Sequence, residues 1–233
     1  FKDAMTQLFR SVGDVCGELM HAIAVGLGQQ AQYFEDAGYF ADRNTAMKLK
    51  CCNYPTTAAA ASAGSANVET GSMGVGPHKD YGFLAVIEQS QSGLEVLDRT
   101  GEWQPVPLVA GALVVNGGEL LELASGGAFM AATHRVVATA GAPHDSRLSI
   151  GFFHNPSFHA VVRPVPALPA SMATAAAANR AVRTAAAAAG EGRDLYSEEA
   201  RPYGYNALSG YMRSLPSIFE RHHPDLLASM PRL

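Results

Sequence analysis

Apolar residues recur at three- and four-residue steps from Met5 through Leu8, Phe9, Val12, Val15, Cys16, Leu19, Met20 and Ile23 to Leu27. That period predicts an amphipathic helix, stopped by Gly26 and Gly28, that serves as a scaffold backing a sheet. From position 47 the texture changes to short runs with strand preference, over 47–54, 83–87, 94–97, 112–115, 133–139 and 147–153. Turn signals such as Ser92-Gly93, Gly117-Gly118 and Ser125-Gly126-Gly127 separate them. Many short strands at this spacing predict a sandwich or jelly roll, with Phe83, Leu84, Val86, Leu113 and Val115 in its core. Helical spacing returns at Leu208, Tyr211, Met212, Leu215, Ile218 and Phe219, where Pro216 either kinks the helix or begins it anew. This predicts a C-terminal helix packed back on the sheet.

Two stretches are low in complexity. Residues 56–66 are rich in Ala, Ser and Thr, the composition of a surface loop. Residues 167–190 hold two alanine runs broken by Asn179, Arg180 and Arg183. Alanine favours helix, but these runs have little to bury, so a mobile insertion or a marginal helix is expected. The expected fold is thus α+β and mainly β. It is one domain over 1–233, with a helical scaffold (1–45), a jelly-roll core (46–165), an Ala-rich insertion (166–195) and a C-terminal helical segment (196–233).

Composition narrows the function. The 17 basic residues are outnumbered by 21 acidic ones, and no Lys/Arg cluster interleaves with aromatics, which argues against a nucleic-acid partner. No apolar run approaches the roughly 20 residues that cross a bilayer. Lys2, Asp3, Arg10, Asp14 and Glu18 interrupt the first segment, and no signal-peptide pattern fits it, so a cytoplasmic protein, monomeric by default, is expected. Cys16, Cys51 and Cys52 are odd in number and lack a framework spacing, so they are read as free thiols.

The chemistry-bearing residues are His78 and Asp80 in GPHKDYG, His134 in ATHRV, and Arg147 and Ser149 in RLSIGFF. Residues two apart on a strand share a face, so His78 and Asp80 converge while Lys79 points away. With His134 they form a two-histidine, one-carboxylate set, which suits Fe(II) with coordination positions left open. Zinc accepts the same ligands, so their identity does not choose the metal. Arg147 and Ser149 are also two apart: a guanidinium fork beside a hydroxyl is a carboxylate clamp. Metal and clamp together would hold an acid at both ends. Phe153 shares the clamp's face, and Trp103 and Tyr81 are aromatic candidates for the pocket wall or for packing. His154 and His159 fit no ligand position and are read as structural. His21, His144, His222 and His223 are read as solvated or capping.

The motifs NYP (53–55), GPHKDYGFL (76–84), GLEVLDRTGEWQPVP (93–107), GALVVNGGELLEL (111–123), ATHRVV (132–137) and RLSIGFFHNP (147–156) occur in this order. In this the chain resembles the isopenicillin N synthase-like group of iron(II)- and 2-oxoglutarate-dependent dioxygenases. The resemblance implies a double-stranded β-helix, with His78, Asp80 and His134 as iron ligands and Arg147 with Ser149 on the distal carboxylate of 2-oxoglutarate. Tyr54 matches a family tyrosine that touches the cosubstrate or substrate carboxylate. The implied activity consumes O2, converts 2-oxoglutarate to succinate and CO2, and hydroxylates, desaturates or cyclises a small organic molecule. Glu119 stands where relatives often have Asp, and Gln89-Ser90 where they have Gln-Asp. Relatives commonly carry further elements ahead of the long helix, so a fragment or a shortened form is expected. Two alternatives stay open: an iron oxidase that dispenses with 2-oxoglutarate, and a jelly-roll binding module without turnover.

Overall fold

The computed structural model describes residues 1–40, 45–55, 73–138, 146–189 and 201–229. The first helix, α1 (Lys2–Gly26), buries Val12, Cys16, Met20 and Ala24, spaced four apart on one face. It ends as its glycines predict. Gly28 takes φ +78°, Gly28 N–H donates to the Val25 carbonyl and Gln29 N–H to that of Ala24, a Schellman closure that a residue with a Cβ would strain. A short α2 (Tyr33–Asp36) follows.

Among the described residues, eight strands form two antiparallel four-stranded sheets. The strands are β1 (Lys48–Pro55), β2 (Met73–His78), β3 (Leu84–Gln89), β4 (Leu94–Leu97), β5 (Trp103–Pro105), β6 (Val114–Gly117), β7 (His134–Val137) and β8 (Ser146–His154). One sheet has the order β1-β8-β3-β6 and the other β2-β7-β4-β5. Antiparallel sheets and separate helices are consistent with the mainly-β, α+β expectation, and all six expected strands occur, 94–97 with the expected ends and the others with shifted ones. The short β5 was not anticipated.

The outer face of the first sheet carries α1. Val86 and Phe152, direct neighbours across β3 and β8, pack with Val12 and Cys16, and Phe9 meets the Phe152 ring edge-on at 5.1 Å. The larger core gathers Met20, Leu27, Phe34, Phe83, Leu84 and Leu121. Leu113 and Val115, expected inside, are instead 45% and 46% exposed. Val115 lies opposite Val86, so it shares the outer face, but β6 is an edge strand and the cluster under α1 stops at Val86.

The helix α3 (Glu119–Ala124), also unanticipated, starts immediately after β6. The alanine-rich stretch forms a helix, α4 (Ala170–Ala188), and not a loose insertion. Of its residues only Ala176 and Arg183 are buried, so polar side chains dock it. Asn179 donates to the Gly127 carbonyl at 2.8 Å, Arg180 to that of Gly126, and Arg183 to Glu119. At the C-terminal end Pro216 starts a new helix: α5 (Tyr203–Ser214) gives way to α6 (Pro216–His222), with proline at a position where its missing N–H costs nothing, and then to α7 (Pro224–Ser229). The loop expected at 56–66 lies outside the described residues. Among them, no helix is long and apolar enough to cross a membrane.

Candidate active site

His78 and His134 are direct partners across β2 and β7, with ring centroids 4.3 Å apart. In each ring Nδ1 lies 2.9 Å from the carbonyl two residues earlier, Gly76 for His78 and Ala132 for His134. That contact makes Nδ1 the protonated nitrogen and leaves the Nε2 lone pair free, the arrangement by which backbone carbonyls orient metal-binding imidazoles. Both Nε2 atoms face Asp80: His78 Nε2 is 4.0 Å from Oδ1 and His134 Nε2 is 3.7 Å from Oδ2. One donor atom from each of the three residues falls within 4.8 Å of the others, and this is the one such group of three among the described residues. Burial pushes the His78 pKa down, favouring the neutral ring that can ligate. The donor set fits Fe(II), and equally accepts zinc.

The turn that carries Asp80 is pinned by backbone. Gly118 N–H donates to the Phe83 carbonyl at 3.0 Å, Glu119 N–H to Asp80 at 2.8 Å and Leu120 N–H to Gly82 at 3.2 Å. Gly118 approaches so closely that a Cβ there would sit 2.3 Å from the Gly82 oxygen and 2.7 Å from that of Asp80. The carboxylate itself accepts a hydrogen bond from Asn116 Nδ2, 2.9 Å from Oδ2.

Arg147 and Ser149 face the same cleft from β8, together with Tyr54 from β1. The cleft, of about 90 Å³, lies between the inner faces of the two sheets and is shared by all three members of the His-Asp-His cluster. Arg147 is 2% exposed; its Nη2 donates to Gln89 Oε1 at 2.9 Å and its Nε to the Gln91 carbonyl at 3.2 Å. Nη1 is buried without a hydrogen-bond partner, and no carboxylate pairs with this guanidinium among the described residues. A buried cation in that state calls for an anion. The Tyr54 ring lies 5.2 Å from the guanidinium carbon, and burial, with Cys52 beside it, pushes its phenol up to about 12, so it remains a hydrogen-bond donor at neutral pH.

The structure therefore brings together all six residues singled out from the sequence: His78, Asp80 and His134 in one cluster, and Tyr54, Arg147 and Ser149 in the adjoining cleft. Phe153 lines the cleft as well. Trp103 does not: it stacks beneath Arg135, whose guanidinium carbon is 4.1 Å from the ring centroid. Lys79 does not line this cleft; it lies within charge range of Arg183, Glu122 and Glu119 and lines a second cavity beside Asp80. His154 is buried against Phe40, consistent with a structural role. Sequence reasoning missed Asn116 and gave Gln89 no role; each holds a site residue through one hydrogen bond.

Comparison with known proteins gives one family. The model of the 2OG-Fe(II) oxygenase superfamily matches residues 49–156, the span that holds both the cluster and the clamp. The chain is 32% identical to 2-oxoglutarate-dependent dioxygenase 21, chloroplastic, of Oryza sativa subsp. japonica, over 66% of this chain and 42% of the relative. It is 31% identical to homoarginine-6-hydroxylase 2-ODD-C23 of Glycine max, over 71% of this chain and 48% of the relative. Among solved structures it resembles a full-length Neurospora crassa protein in complex with alpha-KG, with TM-score 0.65 and 25% identity, over 93% of this chain and 57% of that one. The chain thus spans less than half the length of these two curated relatives.

Proposed function

The chain belongs to the 2OG-Fe(II) oxygenase superfamily, and from that membership we propose that it is an iron(II)- and 2-oxoglutarate-dependent oxygenase acting on a small organic molecule. The two sheets and their strand orders support a double-stranded β-helix as the scaffold, one catalytic domain along the chain. A cytoplasmic site of action belongs to the same proposal.

In this reading His78, Asp80 and His134 hold the iron, and Arg147, Ser149 and Tyr54 hold the far carboxylate of 2-oxoglutarate. Iron(II), when bound, supplies the redox chemistry that couples the conversion of 2-oxoglutarate and O2 to succinate and CO2 with oxidation of the substrate. The protein's part is positional. The carbonyls of Gly76 and Ala132 fix which imidazole nitrogen is free, Asn116 fixes the carboxylate, and Gln89 with the Gln91 carbonyl fixes the guanidinium.

The observation that carries the reading is the buried, unpaired Arg147 Nη1 in the same cleft as a two-histidine, one-carboxylate cluster. A metal cluster alone would need no such cation. The test is turnover of 2-oxoglutarate: succinate should form only with Fe(II) and O2 present, and Asp80→Ala and Arg147→Ala should each abolish it. Succinate formation that survives Arg147→Ala would overturn the assignment of the clamp.

A further inference from the structure

We propose that the substrate oxidised at this site is a small organic acid with a flat, apolar or aromatic body, and that Lys50, assisted by Lys48, receives its carboxylate. This rests on the reading above, because it concerns the cavity on the other side of the metal cluster.

A second cavity of about 330 Å³ opens between the β1–β8 edge and α5. That is the size of a small-molecule pocket. Lys50, His78, Asp80 and Phe153 line both cavities, whereas Arg147 lines only the inter-sheet cleft and Lys48 only the second cavity. The pairing of β1 with β8 explains this order. Along the inner face, Tyr54 lies opposite Arg147, Cys52 opposite Ser149, Lys50 opposite Gly151 and Lys48 opposite Phe153. One row therefore carries a guanidinium at one end and two ammonium groups at the other.

The two lysines differ. The Lys48 ammonium is held over the Phe153 and Tyr211 rings, 5.0 and 5.4 Å from their centroids, and 3.5 Å from the Tyr211 hydroxyl. Lys50 has no ion pair or hydrogen bond from its side chain among the described residues, and the residue opposite it, Gly151, has no side chain to cover it. Around them the wall is aromatic, with Tyr81, Phe153, Tyr203 and Tyr211.

Charge decides the class. The formal charges of iron(II), Asp80, a 2-oxoglutarate dianion and Arg147 cancel, and Lys79, which also lines the cavity, is offset by Glu119 and Glu122, so Lys48 and Lys50 are the surplus positive charge facing it. A cationic substrate would meet like charge at both ammonium groups, and a neutral one would gain nothing from Lys50, which, unlike Lys48, has no side-chain partner among the described residues. An acid satisfies them, with its ring against the aromatic wall.

The test uses benzoate, phenylacetate and 3-phenylpropanoate with their neutral amides as probes, titrated calorimetrically into protein loaded with Mn(II) and 2-oxoglutarate. The acids should bind more tightly than the amides, and Lys50→Met, which keeps the apolar stem, should weaken acid binding about tenfold while leaving amide binding unchanged. Equal affinities, no acid binding into the low millimolar range, or indifference to Lys50→Met would overturn the proposal. Acid binding lost in Arg147→Ala but kept in Lys50→Met would place the acid in the clamp and overturn it as well. The oxygenase reading is scored separately, by 2-oxoglutarate binding and succinate formation without any added acid.

Discussion

Asn116 holds Asp80 by one oxygen: its side-chain amide donates to Oδ2 at 2.9 Å, which leaves Oδ1 turned toward His78. Partners of this kind orient metal-binding carboxylates, and their loss typically costs about 10- to 100-fold in metal affinity. Asn116→Ala should weaken Fe(II) or Co(II) binding to that extent, measured by anaerobic titration, with circular dichroism unchanged. Wild-type affinity in the variant would show that the hydrogen bond does no positioning.

Gln89 stands to Arg147 as Asn116 stands to Asp80. Without its acceptor, the guanidinium keeps only the Gln91 carbonyl as a hydrogen-bond partner among the described residues. A hydrogen bond to a charged group is worth about 1.5–3 kcal/mol, so Gln89→Ala should raise the Kd for 2-oxoglutarate about tenfold or more. Metal affinity should not move. A matched fall in both affinities would point to a general loss of structure.

Arg183 ties the alanine-rich helix to the corner below the metal cluster. It pairs with Glu119 and lies 3.7 Å from Glu122, which is 1% exposed and also accepts from Ala131 N–H at 2.9 Å. Arg183→Met leaves two buried carboxylates without their directly paired cation and with only the longer-range charge of Lys79, and should cost about 3–5 kcal/mol in denaturant unfolding. Arg183→Met combined with Glu119→Gln should recover part of that loss. A surface-like change below about 0.5 kcal/mol would mean that α4 does not hold this corner.

His154 predicts a pH dependence. Among the described residues neither ring nitrogen has a hydrogen-bond partner, and burial pushes its pKa down from 6.5 to about 4. Between those values the unfolded chain binds a proton that the folded chain does not, so stability rises with pH across this window. The contribution is fully present above about pH 6.5 and is lost as pH falls to about 4, on the order of 3 kcal/mol. Unfolding curves at pH 7 and pH 4.5 should show a smaller acid loss for His154→Phe than for the wild type. Identical acid losses would exclude His154 as a contributor.

The clamp was legible because strand parity is a two-residue rule: Arg147 and Ser149 declare a shared face as soon as a strand is assumed. His78 and Asp80 do meet, but β2 ends at His78 and Asp80 lies in the turn after it, so backbone bonds from Glu119 and Leu120 to that turn, and not strand parity, place the carboxylate. The same rule misled at β6. Placing Leu113 and Val115 inside turns Asn116 outward, and only the register, with Val115 opposite Val86 and Asn116 opposite Ala85, reverses that. The six-residue α3 is too short to display a helical period. The role of Arg183 was hidden differently: its partner Glu119 is 64 positions away, and an alanine helix offers no apolar stripe to reveal which side is docked.

The most direct test is an anaerobic titration of the metal-free protein with Fe(II) and then 2-oxoglutarate, followed in the visible range. A charge-transfer band of the chelated keto acid is expected in the wild type, and in Arg147→Ala bound iron without that band at the same 2-oxoglutarate concentration. Iron bound to the wild type with no band would contradict the cosubstrate assignment and favour an oxidase independent of 2-oxoglutarate; no iron bound at all would contradict the metal centre itself.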